Sequence, residues 1–191
     1  MVGILLAAGF SRRFGASNKL LQTLPDGCPI ALTTAKKLIE AVPLCIAVVR
    51  HDNKTLADML QDIGFKVLFC SEQDTEMADS LTAAIRFSAN FSASSDGFII
   101  TLADMPYTNP LTISAIASKL AEGASIVVPT YQGKRGHPVA FSAKFREELE
   151  NLQGDEGAKS ILKRYPQQIT FLECNDSGIL IDIDTPADLK L

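Results

Sequence analysis

Short runs of apolar, β-type residues alternate with segments of helical periodicity along the chain. The runs have the length of strands and are apolar almost throughout, as expected of strands that are covered on both faces. They begin at Val2, Leu44, Lys66, Gly97 and Ser125. The segments between them place apolar residues three and four positions apart, which is typical of helices. The alternation predicts an α/β fold with three layers: an open, mainly parallel sheet with helices on both faces.

The last third of the chain has shorter predicted elements. Residues 138–141, 169–172 and 179–183 read as short strands, and residues 143–152 and 158–165 read as helices. A last helix is predicted to begin with Thr185 as its N-cap and Pro186 at its first position. Because ligands of such sheets bind at the carboxyl ends of the strands, the unusual sequences found there are candidate site segments.

Composition narrows the class of protein. With 191 residues, the chain is expected to form one domain spanning residues 1–191. The net charge is −4 and no long basic run occurs, which argues against a nucleic-acid partner. No apolar run approaches the roughly 20 residues that cross a bilayer, so no membrane partner is expected. The first apolar run lacks the basic segment of a signal peptide, so we expect a cytoplasmic protein.

The first predicted strand runs into a loop of small residues and cations. Ala8, Gly9 and Ser11 allow backbone N–H groups to approach a phosphate closely, and Arg13 and Lys19 can neutralise its charge. The glycine spacing fits neither a Walker A motif nor a dinucleotide-binding fingerprint. We therefore interpret residues 8–19 as a phosphate-binding loop rather than a solvated loop with surface cations.

Carboxylates follow two predicted strands. Asp104 stands at the end of the run that starts at Gly97, and it can either bind Mg²⁺ or cap the next turn. Asp182 and Asp184 alternate with isoleucines, so a strand over residues 179–183 would turn both to one face. Two like charges on one face repel unless a cation lies beside them, although Asp184 could also complement a helix N-terminus. Taken with Asp104, a shared metal site is the better interpretation.

Two further segments are candidates for a second substrate. Arg135, Gly136 and His137 belong to a glycine-flanked basic loop that could hold an anion, or that could be an ordinary exposed turn. His137 could act as an acid or base, and we favour a role in positioning. Asp155 lies in an acidic, glycine-rich stretch at a predicted helix start, where a capping role is equally compatible.

Together these motifs resemble those of MobA-like nucleotidyltransferases, and most of all the molybdenum cofactor cytidylyltransferases within that family. The first loop is similar to the family signature L-A-A-G-x-S-x-R-M-G followed by a lysine, with Phe14 in place of the usual methionine. The later motifs follow in the family's order, so the resemblance covers essentially the whole chain: residues 102–106, 133–138, 154–158 and 182–189.

The resemblance implies a Rossmann-like nucleotide-diphospho-sugar transferase fold and a specific reaction. CMP would pass from CTP to Mo-molybdopterin, with Mg²⁺ bound, and pyrophosphate would leave. Cytidylyl enzymes of the family carry L-A-A-G where guanylyl enzymes carry L-A-G-G, so Ala8 indicates CTP. The product would then pass to a molybdoenzyme apoprotein or its chaperone.

The resemblance also implies a role for each matching residue. The implied nucleotide-binding residues are Leu6, Ala7, Ala8, Gly9, Ser11, Arg13, Lys19 and Ser80. Lys19, Arg13 and Asp104 are the implied catalytic residues, and Asp104 and Asp184 are the implied Mg²⁺ ligands, with Asp182 as the alternative to Asp184. The implied acceptor-binding residues are Arg135, Gly136, His137, Asp155 and Asp182.

Three other functions are compatible with these residues. The protein could use another nucleotide such as GTP, or another phosphorylated acceptor. It could also be a non-catalytic nucleotide-binding chaperone for molybdoenzymes. The joint presence of Lys19, Asp104 and Asp184 disfavours the chaperone, because a protein that no longer catalyses has no need of all three.

Overall fold

The computed structural model describes residues 1–9, 18–70, 77–154 and 157–190. Its strands form one sheet: β1 (Val2–Ala7), β2 (Cys45–Arg50), β3 (Lys66–Cys70), β4 (Phe98–Leu102), β5 (Ile126–Tyr131), β6 (Lys134–Arg135), β7 (Val139–Phe141) and β8 (Ile169–Glu173). The α-helices are α1 (Ile30–Ala41), α2 (Lys54–Asp62), α3 (Met77–Ser88), α4 (Pro110–Ala121), α5 (Arg146–Glu150) and α6 (Lys159–Arg164). The predicted alternation of strands and helices is confirmed.

The sheet is mixed but mostly parallel. Its strand order is β3-β2-β1-β4-β7-β5-β6, and β8 also pairs with β5. The pairs β3–β2, β2–β1, β1–β4 and β5–β8 are parallel. The strand β7 lies antiparallel between β4 and β5, and β6 is antiparallel to β5. The carboxyl ends of β1 and β4 therefore meet at one edge, where the start of β7 joins them.

The central strands divide their apolar side chains between two cores. Leu5, Ala47 and Ile99 belong to the core that includes residues of α1, α2 and α4. Ile4 and Ile100, one position along, belong to the core that includes residues of α3, α5 and α6. This division follows from the two-residue period of a strand. It gives the three-layer α/β fold that the sequence predicts.

The predicted strand over residues 179–183 is wrong. Ser177–Leu180 forms a 3-10 helix, and the residues that follow it belong to no strand. Their backbone groups bond to loops instead of to a sheet: the Ile183 N–H donates to the carbonyl oxygen of Asp104 (2.9 Å), and the Ile179 carbonyl accepts from the His137 N–H (3.0 Å). Asp182 and Asp184 therefore do not share the face of a strand as the sequence predicted. Their carboxylates nevertheless lie close together.

Two predicted helices differ in kind from the expectation. Residues 143–152 form a 3-10 turn, Ala143–Phe145, followed by the short α5. The last helix is a 3-10 helix, Pro186–Lys190, and its start is held by Asp188, whose Oδ2 accepts from the Thr185 N–H (2.7 Å) and hydroxyl (2.9 Å). These bonds hold the pKa of Asp188 below its usual value. Across the described ranges, no helix has both the length and the apolar character needed to cross a bilayer.

Candidate active site

The site is built where β1 and β4 end. Leu6 pairs with Leu102 in the parallel register, so the segments that follow them leave the sheet side by side. The Ala103 N–H continues the pairing by donating to the Leu6 carbonyl at 3.1 Å. Ala8 and Asp104 thus stand at the same edge, as the sequence predicts for residues that follow neighbouring parallel strands.

Three carboxylates gather at this edge. Asp104, Asp182 and Asp184 each offer an oxygen, and these oxygens lie within 4.8 Å of one another. Two oxygens bound to one Mg²⁺ at about 2.1 Å are at most about 4.2 Å apart. Small side-chain rotations would therefore bring the three oxygens onto one ion. Oxygen ligands of this kind fit a hard divalent cation, and the cluster includes both predicted candidates for the second ligand.

Lys19 contacts two of these carboxylates. Its Nζ donates to Asp104 Oδ2 at 2.8 Å and lies 3.4 Å from Asp184 Oδ1. The side chain is only 12% exposed. Its backbone is fixed by a short 3-10 helix, Lys19–Leu21, which Asn18 caps by accepting from the Leu20 N–H. Among these four side chains, three carboxylates face one ammonium group, so the cluster keeps a net negative charge that attracts a cation.

The segment carrying Asp182 and Asp184 lies against the Asp104 loop through a glycine. A Cβ on Gly178 would stand 2.1 Å from the Tyr107 carbonyl oxygen. Gly136 makes a similar close approach, since its Cβ would stand 2.4 Å from the Ile179 carbonyl oxygen. The two contacts bring together the Asp104 loop, the 3-10 helix Ser177–Leu180 and the His137 loop. No side chain larger than hydrogen fits at either position without displacing backbone.

Replacing Gly178 with alanine is expected to lower the free energy of unfolding by about 3 kcal/mol, because the new methyl group overlaps a fixed carbonyl. Urea denaturation followed by circular dichroism measures the loss. Gly123→Ala is the matched control: Gly123 has φ +101° but open space around its Cβ. That variant should lose only about 1–2 kcal/mol, the conformational cost alone. Equal losses in the two variants would contradict the steric argument.

His137, which the sequence predicts for the acceptor side, lies close enough to Asp104 for the two groups to interact electrostatically. Its Nδ1 is buried and has no hydrogen-bond partner within the described residues. Burial lowers the pKa of His137, the nearby Lys159 lowers it further, and Asp104 opposes the shift. The shift favours the neutral imidazole, which can make hydrogen bonds with both ring nitrogens. Arg135, in contrast, is exposed and stacks over the Phe171 ring at 4.8 Å from its centroid.

The predicted nucleotide-binding residues that the structure describes lie at the end of β1, at Lys19 and at the start of α3. Ala8 packs against the core that contains Leu81 and Ala84, so its methyl group is directed to the α3 face. Ser80 lies in the first turns of α3 and is 6% exposed. Three residues predicted to belong to the site lie outside the described residues: Ser11, Arg13 and Asp155.

Sequence reasoning missed the residues that hold the Asp104 loop. Thr34 of α1 donates its hydroxyl to the Ala103 carbonyl at 3.1 Å, and the Lys37 ammonium donates to the Pro106 carbonyl. Burial lowers the pKa of Lys37. Both residues read in the sequence as ordinary polar positions of a helix, and no pattern there indicates that they reach a loop 69 residues away.

A carboxylate cluster paired with a lysine, where neighbouring strands end in a nucleotide-diphospho-sugar transferase fold, is compatible with the class of nucleotidyltransferases. A family model agrees with this class: the MobA-like NTP transferase domain matches residues 3–169. The chain belongs to the MobA-like NTP transferase family.

Relatives of known name support the assignment. The chain is 29% identical to the purine catabolism protein PucB of Bacillus subtilis, over 100% of this chain and 95% of that protein. It is 28% identical to a probable molybdenum cofactor guanylyltransferase of Thermococcus sibiricus, over 100% and 96%. The crystal structure of Rv0371c from Mycobacterium tuberculosis superposes with a TM-score of 0.82 at 25% identity, over 99% of this chain and 94% of that chain. Rv0371c has also been crystallised in complex with manganese.

Proposed function

We propose that the protein transfers CMP from CTP to Mo-molybdopterin and releases pyrophosphate. The observation that carries the choice of nucleotide is Ala8, the third residue of the L-A-A-G signature. Its methyl group projects from the end of β1 toward the α3 face, where Ser80 stands and where the base is proposed to bind. A methyl group there leaves less room than the glycine of guanylyl enzymes. The smaller pyrimidine base is therefore favoured.

The proposed chemistry is in-line nucleotidyl transfer. A phosphate oxygen of the acceptor attacks the α-phosphorus of CTP, and pyrophosphate departs. Because a phosphate nucleophile is already ionised at neutral pH, no general base is needed, and His137 is proposed to position the acceptor. Catalysis then rests on positioning and on neutralising charge. Lys19 and Arg13 are the proposed cations for the triphosphate, and residues 6–9 with Ser11 hold the nucleotide.

A divalent cation, Mg²⁺ in our proposal, would be held by Asp104 and Asp184, with Asp182 as the third carboxylate of the cluster. When bound, it would supply neutralisation of phosphate charge. The manganese complex of Rv0371c supports the use of a divalent metal by this fold. Asp104 and Asp184 would fix the position of the cation. Lys19, which contacts both carboxylates, would add a second positive charge near the phosphates.

The acceptor is proposed to bind beside His137. The neutral ring offers a buried Nδ1 that lacks a partner within the described residues, and Gly136 lets the backbone pass close to Ile179. Arg135 and Asp155 complete the proposed acceptor side. The product would pass to a molybdoenzyme apoprotein or its chaperone.

Pyrophosphate release with purified protein tests the function. We expect release from CTP with Mo-molybdopterin and Mg²⁺, and at least tenfold less with GTP or ATP. Preference for GTP would favour a guanylyltransferase, the activity named for the relative from Thermococcus sibiricus. Pyrophosphate release with another phosphorylated acceptor, but not with Mo-molybdopterin, would show that the proposed acceptor is wrong. Nucleotide binding with no release for any acceptor would favour a chaperone.

Replacing Ala8 with glycine is expected to lower the ratio of kcat/KM for CTP over GTP by about tenfold, the value of one methyl group in discrimination. Pyrophosphate release with each nucleotide measures the ratio. Ala121→Gly removes a methyl group at the exposed end of α4 and should leave the ratio unchanged. An unchanged ratio in Ala8→Gly would remove Ala8 from base selection.

A further inference from the structure

Asp176 connects two loops through three hydrogen bonds. Its Oδ2 accepts from the Asn109 N–H at 2.9 Å and from the Thr112 hydroxyl at 2.7 Å, both at the start of α4. Its Oδ1 accepts from the Gly178 N–H at 3.0 Å. One carboxylate therefore joins the segment that follows Asp104 to the 3-10 helix that precedes Asp182.

The helix α4 does not need Asp176 as a cap. Asn109 is already its N-cap, and the Asn109 side chain accepts from the Leu111 N–H at 2.9 Å. Pro110 has no N–H to satisfy at the next position. The bonds to Asp176 come in addition to this cap, and they run to a segment more than 60 residues away. Their effect is to hold one loop against another.

The 3-10 helix Ser177–Leu180 connects Asp176 to the segment that carries Asp182 and Asp184. The Gly178 carbonyl accepts from the Thr108 hydroxyl at 3.4 Å, and Gly178 itself lies against the Tyr107 carbonyl. Five residues on, the Ile183 N–H donates to the Asp104 carbonyl at 2.9 Å. Ile183 is fully buried between Asp182 and Asp184. The placement of both carboxylates thus depends on where the Gly178 turn sits.

We propose that Asp176 is a positioning residue for the divalent cation, on the condition that the metal use of the proposed function holds. It contacts neither the cation nor a substrate. It fixes the Gly178 turn against the start of α4, and so keeps Asp182 and Asp184 within reach of Asp104. Three like charges would otherwise separate, because their repulsion favours wider spacing.

Two variants of Asp176 test the proposal in graded form. Asp176→Ala removes all three hydrogen bonds, whereas Asp176→Asn keeps one oxygen that can accept on one side only. Glu173→Ala is the matched control. Glu173, at the end of β8, also makes side-chain bonds to a neighbouring segment: it accepts from the Gln132 N–H at 3.1 Å and from the Thr130 hydroxyl of β5. Its removal deletes the same charge three residues away from Asp176.

Two measurements are made on the ligand-free protein. Mn²⁺ binding, followed by electron paramagnetic resonance, should weaken about tenfold in Asp176→Ala, less in Asp176→Asn, and not in Glu173→Ala. Hydrogen–deuterium exchange should rise across residues 177–184 in the two Asp176 variants only. Asp104→Asn, as a single substitution, should lose the bound Mn²⁺. This loss would show that the measured Mn²⁺ binds at the carboxylate cluster.

The outcomes separate the inference from the function it rests on. Unchanged exchange across residues 177–184 in Asp176→Ala would overturn the bracing role. Raised exchange with unchanged Mn²⁺ affinity would overturn the link from the brace to the cation, as would equal weakening in Glu173→Ala. If Asp104→Asn bound Mn²⁺ as the wild type does, the metal site of the proposed function would itself be wrong.

Discussion

Replacing Asp104 with alanine is expected to reduce pyrophosphate release at least 10³-fold, or about 4 kcal/mol, at saturating substrates. Asp104 is the carboxylate that connects the cluster: it lies with Asp182 and Asp184, and it accepts the shorter of the two Lys19 contacts, at 2.8 Å. Its loss removes a ligand from the proposed cation and frees the ammonium from its main partner. A continuous pyrophosphate assay at several Mg²⁺ concentrations measures the effect.

The fold should survive this substitution. The backbone of residue 104 keeps its bond from the Ile183 N–H, and the Asp104 side chain is partly exposed, so the melting temperature should change little. Asp58→Ala, which removes an exposed acid from α2, is the control and should keep full activity. Near-normal turnover of Asp104→Ala would exclude Asp104 from catalysis.

Replacing Lys19 with alanine is expected to lower kcat by about 10²–10³-fold, the loss typical of one strong electrostatic donor. The structure leads to a second expectation, which concerns the affinity for the cation and not the rate. Because the Lys19 ammonium contacts both Asp104 and Asp184, its removal makes the net charge of the cluster more negative. Mn²⁺ binding to the free enzyme should therefore stay equal or become tighter, while turnover falls.

This split between binding and turnover distinguishes two roles of Lys19. If it only held the carboxylates in place, cation binding and turnover would weaken together. If it also stabilises charge on the triphosphate, turnover alone falls. Lys36→Ala removes an exposed lysine from α1 and is the matched control. Turnover of Lys19→Ala within a few-fold of the wild type would contradict the proposed catalytic role.

The elements with strong local signals could be predicted from the sequence. The strand β3 begins at Lys66, as predicted, and the α-helix that precedes it is capped locally by Asn53, whose side chain accepts from the Leu56 N–H. Apolar runs and caps carry their information within a few residues, so no knowledge of the fold is needed. Residues 179–183 misled because alternating isoleucines imitate a strand, while their backbone groups bond to two distant loops.

In the site, too, residues with a local sequence signal could be predicted, and contacts between distant residues could not. The sequence indicated Asp104, Asp182 and Asp184 because each stands where a strand was predicted to end, and the structure does bring them together. It could not indicate the contact of Lys19 with Asp104 and Asp184, or the bonds of Asp176 to Asn109 and Thr112. Those contacts join residues 64 to 165 positions apart, and they depend on how loops pack after the sheet has formed.

The antiparallel strand β7 has a consequence for how this site can change. A parallel strand would deliver its end to the site edge, but β7 delivers its beginning, so the hairpin of β5 and β6 leads straight into His137. The proposed nucleotide side lies instead at the end of β1 and the start of α3. The segment between β5 and β7 is therefore the place where substitutions can change the proposed acceptor side, provided that Gly136 and the backbone bond from His137 to Ile179 are kept.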